Sequence, residues 1–296
     1  MPIFEEDALV SRERVRWRTI GIVAVVLALL GSGFFFRYEL PHLQVPAEAV
    51  FAVAGFAVTN TMLATWLAML VIVGFFWAAT RRPRSAPGPL QNAAEMVVEA
   101  LLGLCVSVAG ERNGRRFFPL VATIFIYVLV ANWMGLLPGY GTIGLYEHGD
   151  HGIQFVPLLR GATSDLNTTV ALAVTSVVAI QVFGIRTLGA GTYLSRFFDL
   201  KGGPIGLFVG VLELIGDVAK IISFSFRLFG NIFAGEVLLT VVAFLLPFVA
   251  AIPFLGLELF VGLMQAFVFA MLTLVFLTIA TAGHGDVHDE AARHGR

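Results

Sequence analysis

Apolar runs long enough to cross a bilayer recur along the chain, at residues 19–36, 62–80, 117–137 and 166–185, and then through a block from Pro204 to Ala282. A hydrocarbon layer of roughly 30 Å takes about 20 helical residues. It offers no water to backbone N–H and C=O groups, so a chain with this pattern must satisfy them internally. Hydrophobic residues make up 58% of the 296 and charged residues 13%, a balance far from that of a soluble domain. Nineteen Lys and Arg against 20 Asp and Glu leave a net charge of -1, without the basic excess that a nucleic-acid partner requires. The single cysteine, Cys105, lies in an apolar stretch and reads as a packing residue. The expected fold class is an all-α polytopic membrane protein with a long tilted helical hairpin near the C-terminus, additional transmembrane helices and one surface or re-entrant helical segment.

Basic residues set the orientation. Arg12, Arg14, Arg16 and Arg18 precede the first run and Arg37 bounds it, which keeps its N-terminal side cytoplasmic. A signal peptide shares this pattern, but Phe34, Phe35, Phe36 and Arg37 stand where a small-residue cleavage site would be, which favours an uncleaved anchor. The second run ends at Arg81, Arg82 and Arg84, and Pro83, Pro87 and Pro89 mark a cytoplasmic linker. Residues 90–110 carry Glu95 and Glu99 one helical turn apart, with basic clusters on both sides. Such a segment lies on the membrane surface or dips in and returns. Residues 117–137 then span outward, with Pro119 expected in the first turn, and Pro138-Gly139 opens an outer loop holding His148, Asp150, His151 and Asp165. Residues 166–185 return to Arg186, Arg196 and Lys201. Apart from Lys220 and Arg227 in the last block and Arg37 and Arg160 in outer segments, the remaining 15 of 19 basic residues fall on cytoplasmic segments. The expected division is 1–37, an N-terminal cytoplasmic segment with an extra anchor; 38–282, the main membrane domain; and 283–296, a cytoplasmic tail.

The last block is the unusual part. The 44 residues from Pro204 to Pro247 hold no internal proline, and as one helix they run about 65 Å, roughly twice the hydrocarbon thickness. That helix must tilt steeply or break, at Gly230 or Gly235; Pro247 and Pro253 frame an outward turn into residues 254–282. Six ionisable residues lie inside: Glu213, Asp217, Lys220, Arg227, Glu236 and Glu258. Each is expensive there, an Arg, Lys or Asp costing about 2.5–3.5 kcal/mol near the centre of a membrane helix on insertion scales, which makes them candidates for an ion pathway. For Glu213, Asp217 and Lys220, near the cytoplasmic end, snorkelling or mutual pairing is an equal alternative. Arg227 differs, since no carboxylate lies three or four residues away. Its guanidinium stays protonated and so sets a fixed positive field rather than relaying protons. In an antiparallel hairpin, residues at equal depth share a constant sum of numbers. Glu236 with Glu258 and Arg227 with Gln265 differ by only two in that sum, which puts both pairs nearly level. Glu236 lies nine residues beyond Arg227, about 13 Å towards the outer turn. Two carboxylates held close there should titrate as a coupled unit and read as the outer limb of a path ending near the arginine.

The run Phe226-Arg227-Leu228-Phe229-Gly230-Asn231, continuing to Ala234-Gly235-Glu236, closely resembles the signature of the a subunit of F-type ATP synthases. Thr163-Ser164-Asp165-Leu166-Asn167-Thr168-Thr169, Asn132-Trp133-Met134-Gly135-Leu136-Leu137-Pro138, Thr59-Asn60-Thr61 and Gln265-Ala266-Phe267-Val268-Phe269 extend the likeness over roughly residues 55–282. The resemblance implies a stator subunit of the membrane (Fo) sector, not catalytic by itself and without cofactor or metal. Two offset half-channels would lead protons to and from a rotating ring of c subunits, held beside peripheral-stalk b subunits and tied indirectly to F1, in the bacterial plasma membrane with a cytoplasmic C-terminus. Arg227 matches the family arginine that separates the half-channels, and Asn231, Glu236 and Gln265 match positions near the path. Many relatives carry histidine where this chain has Glu258.

A secondary transporter is the main alternative, yet no internal repeat or pair of broken helices is evident. An intramembrane hydrolase lacks any HExxH or GxSxG pattern in the membrane blocks. His284, His288 and His294 with Asp286 and Asp289, and His148 and His151 with Asp150, have the residue types of a metal site. Solvated tail and loop are the preferred readings.

Overall fold

The computed structural model describes residues 47–53, 55–82, 88–149, 152–195, 197, 203–245 and 251–282. The first apolar run, Pro83, Arg84, Pro87, Asp150, His151, Arg196, Lys201, Pro247 and the tail with its three histidines lie outside the described residues.

A two-stranded hairpin of β1 (Ala49–Val53) and β2 (Phe56–Thr59) leads into helix α1 (Asn60–Thr80). Thr59 caps that helix, its hydroxyl accepting from the Met62 amide at 3.3 Å. The residues α1 buries are small or polar (Asn60, Thr61, Ala64, Ala68 and Ala79), while Leu70, Val73 and Trp77 point outward. This is the inverted pattern of a helix that packs closely on its neighbours and turns its large apolar side chains to lipid.

Helix α2 (Pro89–Gly135) is two arms joined at Gly110, whose φ of 75° and ψ of 167° suit glycine alone. The arm before Gly110 folds back on the arm after it, and Cys105 packs in one buried cluster with Phe117 and Val121. The turned-back segment therefore exists, but the second arm resumes before the basic residues, where Glu111 and Arg115 pair at 2.7 Å. Pro119 consequently sits inside a helix rather than in its first turn.

After α2 come β3 (Pro138–Gly141) and a hairpin of β4 (Gly144–Gly149) and β5 (Gly152–Pro157), in which Tyr146 faces Phe155. These strands were not foreseen from the sequence. A 3₁₀ turn, Ala162–Ser164, then delivers Asp165 to cap α3 (Leu166–Leu188), its carboxylate accepting from the Asn167 amide at 3.0 Å. The short α4 (Ala190–Leu194) follows a positive-φ turn at Gly189. Helix α5 (Gly203–Leu245) runs 43 residues as one element, so the break offered at Gly230 or Gly235 does not occur; α6 (Ala251–Thr281) ends the described chain.

The chain is an all-α membrane protein, with α1, α2, α3 and α6 each long and apolar enough to cross a bilayer. It divides into two compact units. In the larger, Ile124 and Val128 of α2, Ala173 of α3, Phe224 and Leu228 of α5, and Ala266 and Phe269 of α6 form a continuous buried core. The described residues of the smaller unit are 234–245 and 251–258.

Candidate ion-translocation site

Polar side chains in the larger unit fall into two groups. The first ties α1, α2, α3 and α6 together. Buried Asp165 accepts from the Thr61 hydroxyl at 3.0 Å and the Thr168 hydroxyl at 3.4 Å, besides capping α3. Thr163 donates to Asn132 Oδ1 at 2.7 Å, and Asn132 Nδ2 donates to the Gly262 carbonyl at 3.0 Å. Trp133 Nε1 adds a bond to the Leu259 carbonyl at 3.0 Å. Asn60 is fully buried, and neither of its amide atoms has a hydrogen-bond partner among the described residues. Outside the spans, burial pushes the Glu48 carboxyl above its ordinary value, and the nearby Arg160 guanidinium offsets part of that rise.

The second group lies along α5. Gly216, Ala219, Lys220, Ser223, Phe224 and Arg227 line an open groove of about 250 Å³ together with Leu272 and Phe276 of α6. Small residues at helical spacing make the space, and the two cations stand seven residues apart on one face. Arg227 is exposed, and its described partner is a neutral hydroxyl, with Nη2 donating to Ser223 Oγ at 3.3 Å. Lys220 is held differently. Its ammonium donates to Asp217 Oδ1 at 2.6 Å and lies 4.8 Å from the centre of the Phe276 ring.

Asp217, a candidate from the sequence, is held by partners that lie far from it along the chain. Gln181 of α3 donates to Asp217 Oδ2 at 2.6 Å, and the Tyr193 hydroxyl donates in turn to Gln181 Oε1. Tyr193 is buried over Gly184, where any Cβ would run into its ring. The available signal was Gln181 itself, an amide in the middle of an apolar run. Glu213 sits half-buried one turn before Asp217.

Gln265, expected nearly level with Arg227, accepts from Asn231 Nδ2 at 2.7 Å, and Asn231 lies one helical turn beyond the arginine. Gln265 Nε2 is buried without a partner among the described residues.

In the smaller unit, the buried Glu258 carboxylate lies directly against Gly235, occupying the space a Cβ there would need. Glu236 is half-buried beside it in sequence. Among the described residues, no group of three His, Cys, Asp or Glu side chains could hold a metal ion.

The family described as ATP synthase A chain matches residues 62–278. ATP synthase subunit a of Moorella thermoacetica is 34% identical over 239 residues, covering 81% of this chain and 98% of that protein. The subunit a of Gloeobacter violaceus is 36% identical over 229 residues, covering 77% and 86%. That of a Geobacter species is 35% identical over 246 residues, covering 82% and 93%.

Proposed function

The chain belongs to the ATP synthase subunit a family, and we propose that it supplies two offset half-channels through which protons reach and leave a rotating ring of c subunits. Family membership makes it an integral membrane, proton-translocating component of the Fo sector, engaged in ion transport and ATP synthesis. Catalysis of the phosphoryl step belongs to the F1 sector, with which this subunit communicates through the ring and the b-subunit peripheral stalk. The bias of basic residues supports a plasma-membrane orientation with the C-terminus in the cytoplasm.

Arg227 carries the reading. A guanidinium that cannot titrate, exposed on the side of α5 and met among the described residues by nothing more polar than Ser223, is suited to attract a carboxylate on a passing partner and to block direct proton exchange across its position. Glu236, Glu258, Asn231 and Gln265 form the outer limb in this scheme, an assignment that follows the family match and the hairpin arithmetic of the sequence. Glu213, Asp217 and Lys220 border the cytoplasmic limb. The Arg227→Ala variant should insert and assemble but lose ATP-driven proton pumping and proton-driven ATP synthesis in membrane vesicles. Normal synthesis by assembled Arg227→Ala complexes would refute the assignment.

A further inference from the structure

The groove along α5 is bordered by two cations, and the protein treats them unequally. Asp217 neutralises Lys220, while Arg227 meets a neutral hydroxyl. Both oxygens of Asp217 are occupied, one by Lys220 and one by Gln181. Lys220 lines the groove, whereas Asp217 is buried behind it and is absent from that lining. A carboxylate so placed is badly oriented to collect protons and well oriented to fix an ammonium.

The chain of donors has one sense. The Tyr193 hydroxyl gives its hydrogen to Gln181 Oε1, which turns Gln181 Nε2 towards the carboxylate, the arrangement an ionised acceptor requires. Tyr193 is in turn seated by the turn at Gly189 and by the gap over Gly184. Three elements, α4, α3 and α5, thus converge on one ion pair.

We propose that Tyr193, Gln181 and Asp217 form a clamp that cancels the charge of Lys220, so that Arg227 is the uncancelled cation along the groove. Asp217 is a fixed counter-charge, and Tyr193 and Gln181 are positioning residues. An uncancelled Lys220 would stand two helical turns, about 10 Å, from Arg227 and would repel protons from the cytoplasmic limb as well as cations in general. The clamp rests on the reading that Arg227 governs ion passage, and it assigns a reason for Tyr193 and Gln181, two polar residues that the reading leaves unused.

The test is a charge-removal rescue in vesicles carrying the complete complex, with flux normalised to assembled complex. Asp217→Asn keeps the shape and can still accept from Gln181, and it should cut ATP-driven pumping and passive proton conduction by roughly tenfold. Gln181→Leu and Tyr193→Phe should each cut flux about two- to threefold. Adding Lys220→Gln to Asp217→Asn removes the charge that needs cancelling, and flux should return to within about twofold of the parent. Neither a purely structural latch nor a proton carrier at Asp217 can be rescued in this way. A double variant no faster than Asp217→Asn alone, or wild-type flux in Asp217→Asn itself, overturns the clamp. Arg227→Ala run in parallel separates the two ideas, because coupled pumping there would remove the half-channel reading instead.

Discussion

Asp165 and Arg227 are both charged residues of an apolar bundle, yet their surroundings differ in kind. Asp165 is buried, and its two oxygens accept from one backbone amide and two hydroxyls contributed by α1 and α3. Arg227 is exposed and, among the described residues, has one long contact to a neighbouring serine on its own helix. A charge surrounded by donors stabilises the fold that supplies them. A charge left open at the side of a helix adds nothing to the fold and is retained for something that comes to it. The difference separates a structural belt, which also includes Thr163, Asn132 and Gly262, from a working face.

Opposite substitution profiles would sharpen that division. Arg227→Lys is expected to have the largest effect on function, at least about tenfold in flux, because a compact ammonium does not reproduce the planar, permanently charged fork. The amount of assembled complex should be unchanged. Asp165→Ala should do the reverse. It removes the α3 cap and leaves the buried Thr61 hydroxyl without its acceptor, a loss of about 2–3 kcal/mol. Thermal unfolding of the extracted complex should register that loss while flux per surviving complex stays near the parent value. Flux per complex that falls as far in Asp165→Ala as in Arg227→Ala would erase the distinction.

Gly235 offers a smaller effect on the functional side. A methyl group there meets the Glu258 carboxylate, the flexible end of a side chain that can be pushed aside. Gly235→Ala should therefore reduce proton flux several-fold without much loss of stability, as expected when a working group is displaced by about 1 Å. Shortening the acid by one methylene, Glu258→Asp in the Gly235→Ala background, should recover part of the loss. Equal flux in Gly235→Ala and the parent would show that the position of this carboxylate is unimportant.

Much of this architecture is written locally, and those parts were readable. Apolar runs give the helices of the membrane class, and the lack of a carboxylate near Arg227 singles it out. What escaped depends on distant partners. Tyr193, Gln181 and Asp217 come from three elements, so no window of sequence contains their network. The depth rule for hairpins puts Gln265 near Arg227, but the particular bond that it accepts from Asn231 depends on side-chain packing across two helices. Pro119 was misplaced because the glycine that reverses the chain, Gly110, sits among other small residues and carries no periodic signal. The strands of the outer loop are short, and their pairing is set by each other rather than by amphipathic alternation.

Glu48 and Arg160 belong to neither class, and they give the smallest and most pH-specific effect. Glu48 precedes β1, outside the membrane spans, and burial raises its carboxyl despite the pull of Arg160. The fold thus holds the Glu48 proton more tightly than the unfolded chain does. Its stabilising share is complete below the ordinary glutamate range, about pH 4.3, and is lost as pH rises through the raised folded value. Glu48→Gln keeps a neutral side chain at every pH, so its thermal midpoint relative to the parent should climb from acid towards neutral pH and then level off. Arg160→Gln removes the cause that lowers the carboxyl, so in that background the climb should extend to higher pH. A difference between parent and Glu48→Gln that stays flat, or falls, across pH 4 to 8 would mean that the attraction of Arg160 outweighs burial, and Glu48 would then join Asp165 among the charges that hold the fold together.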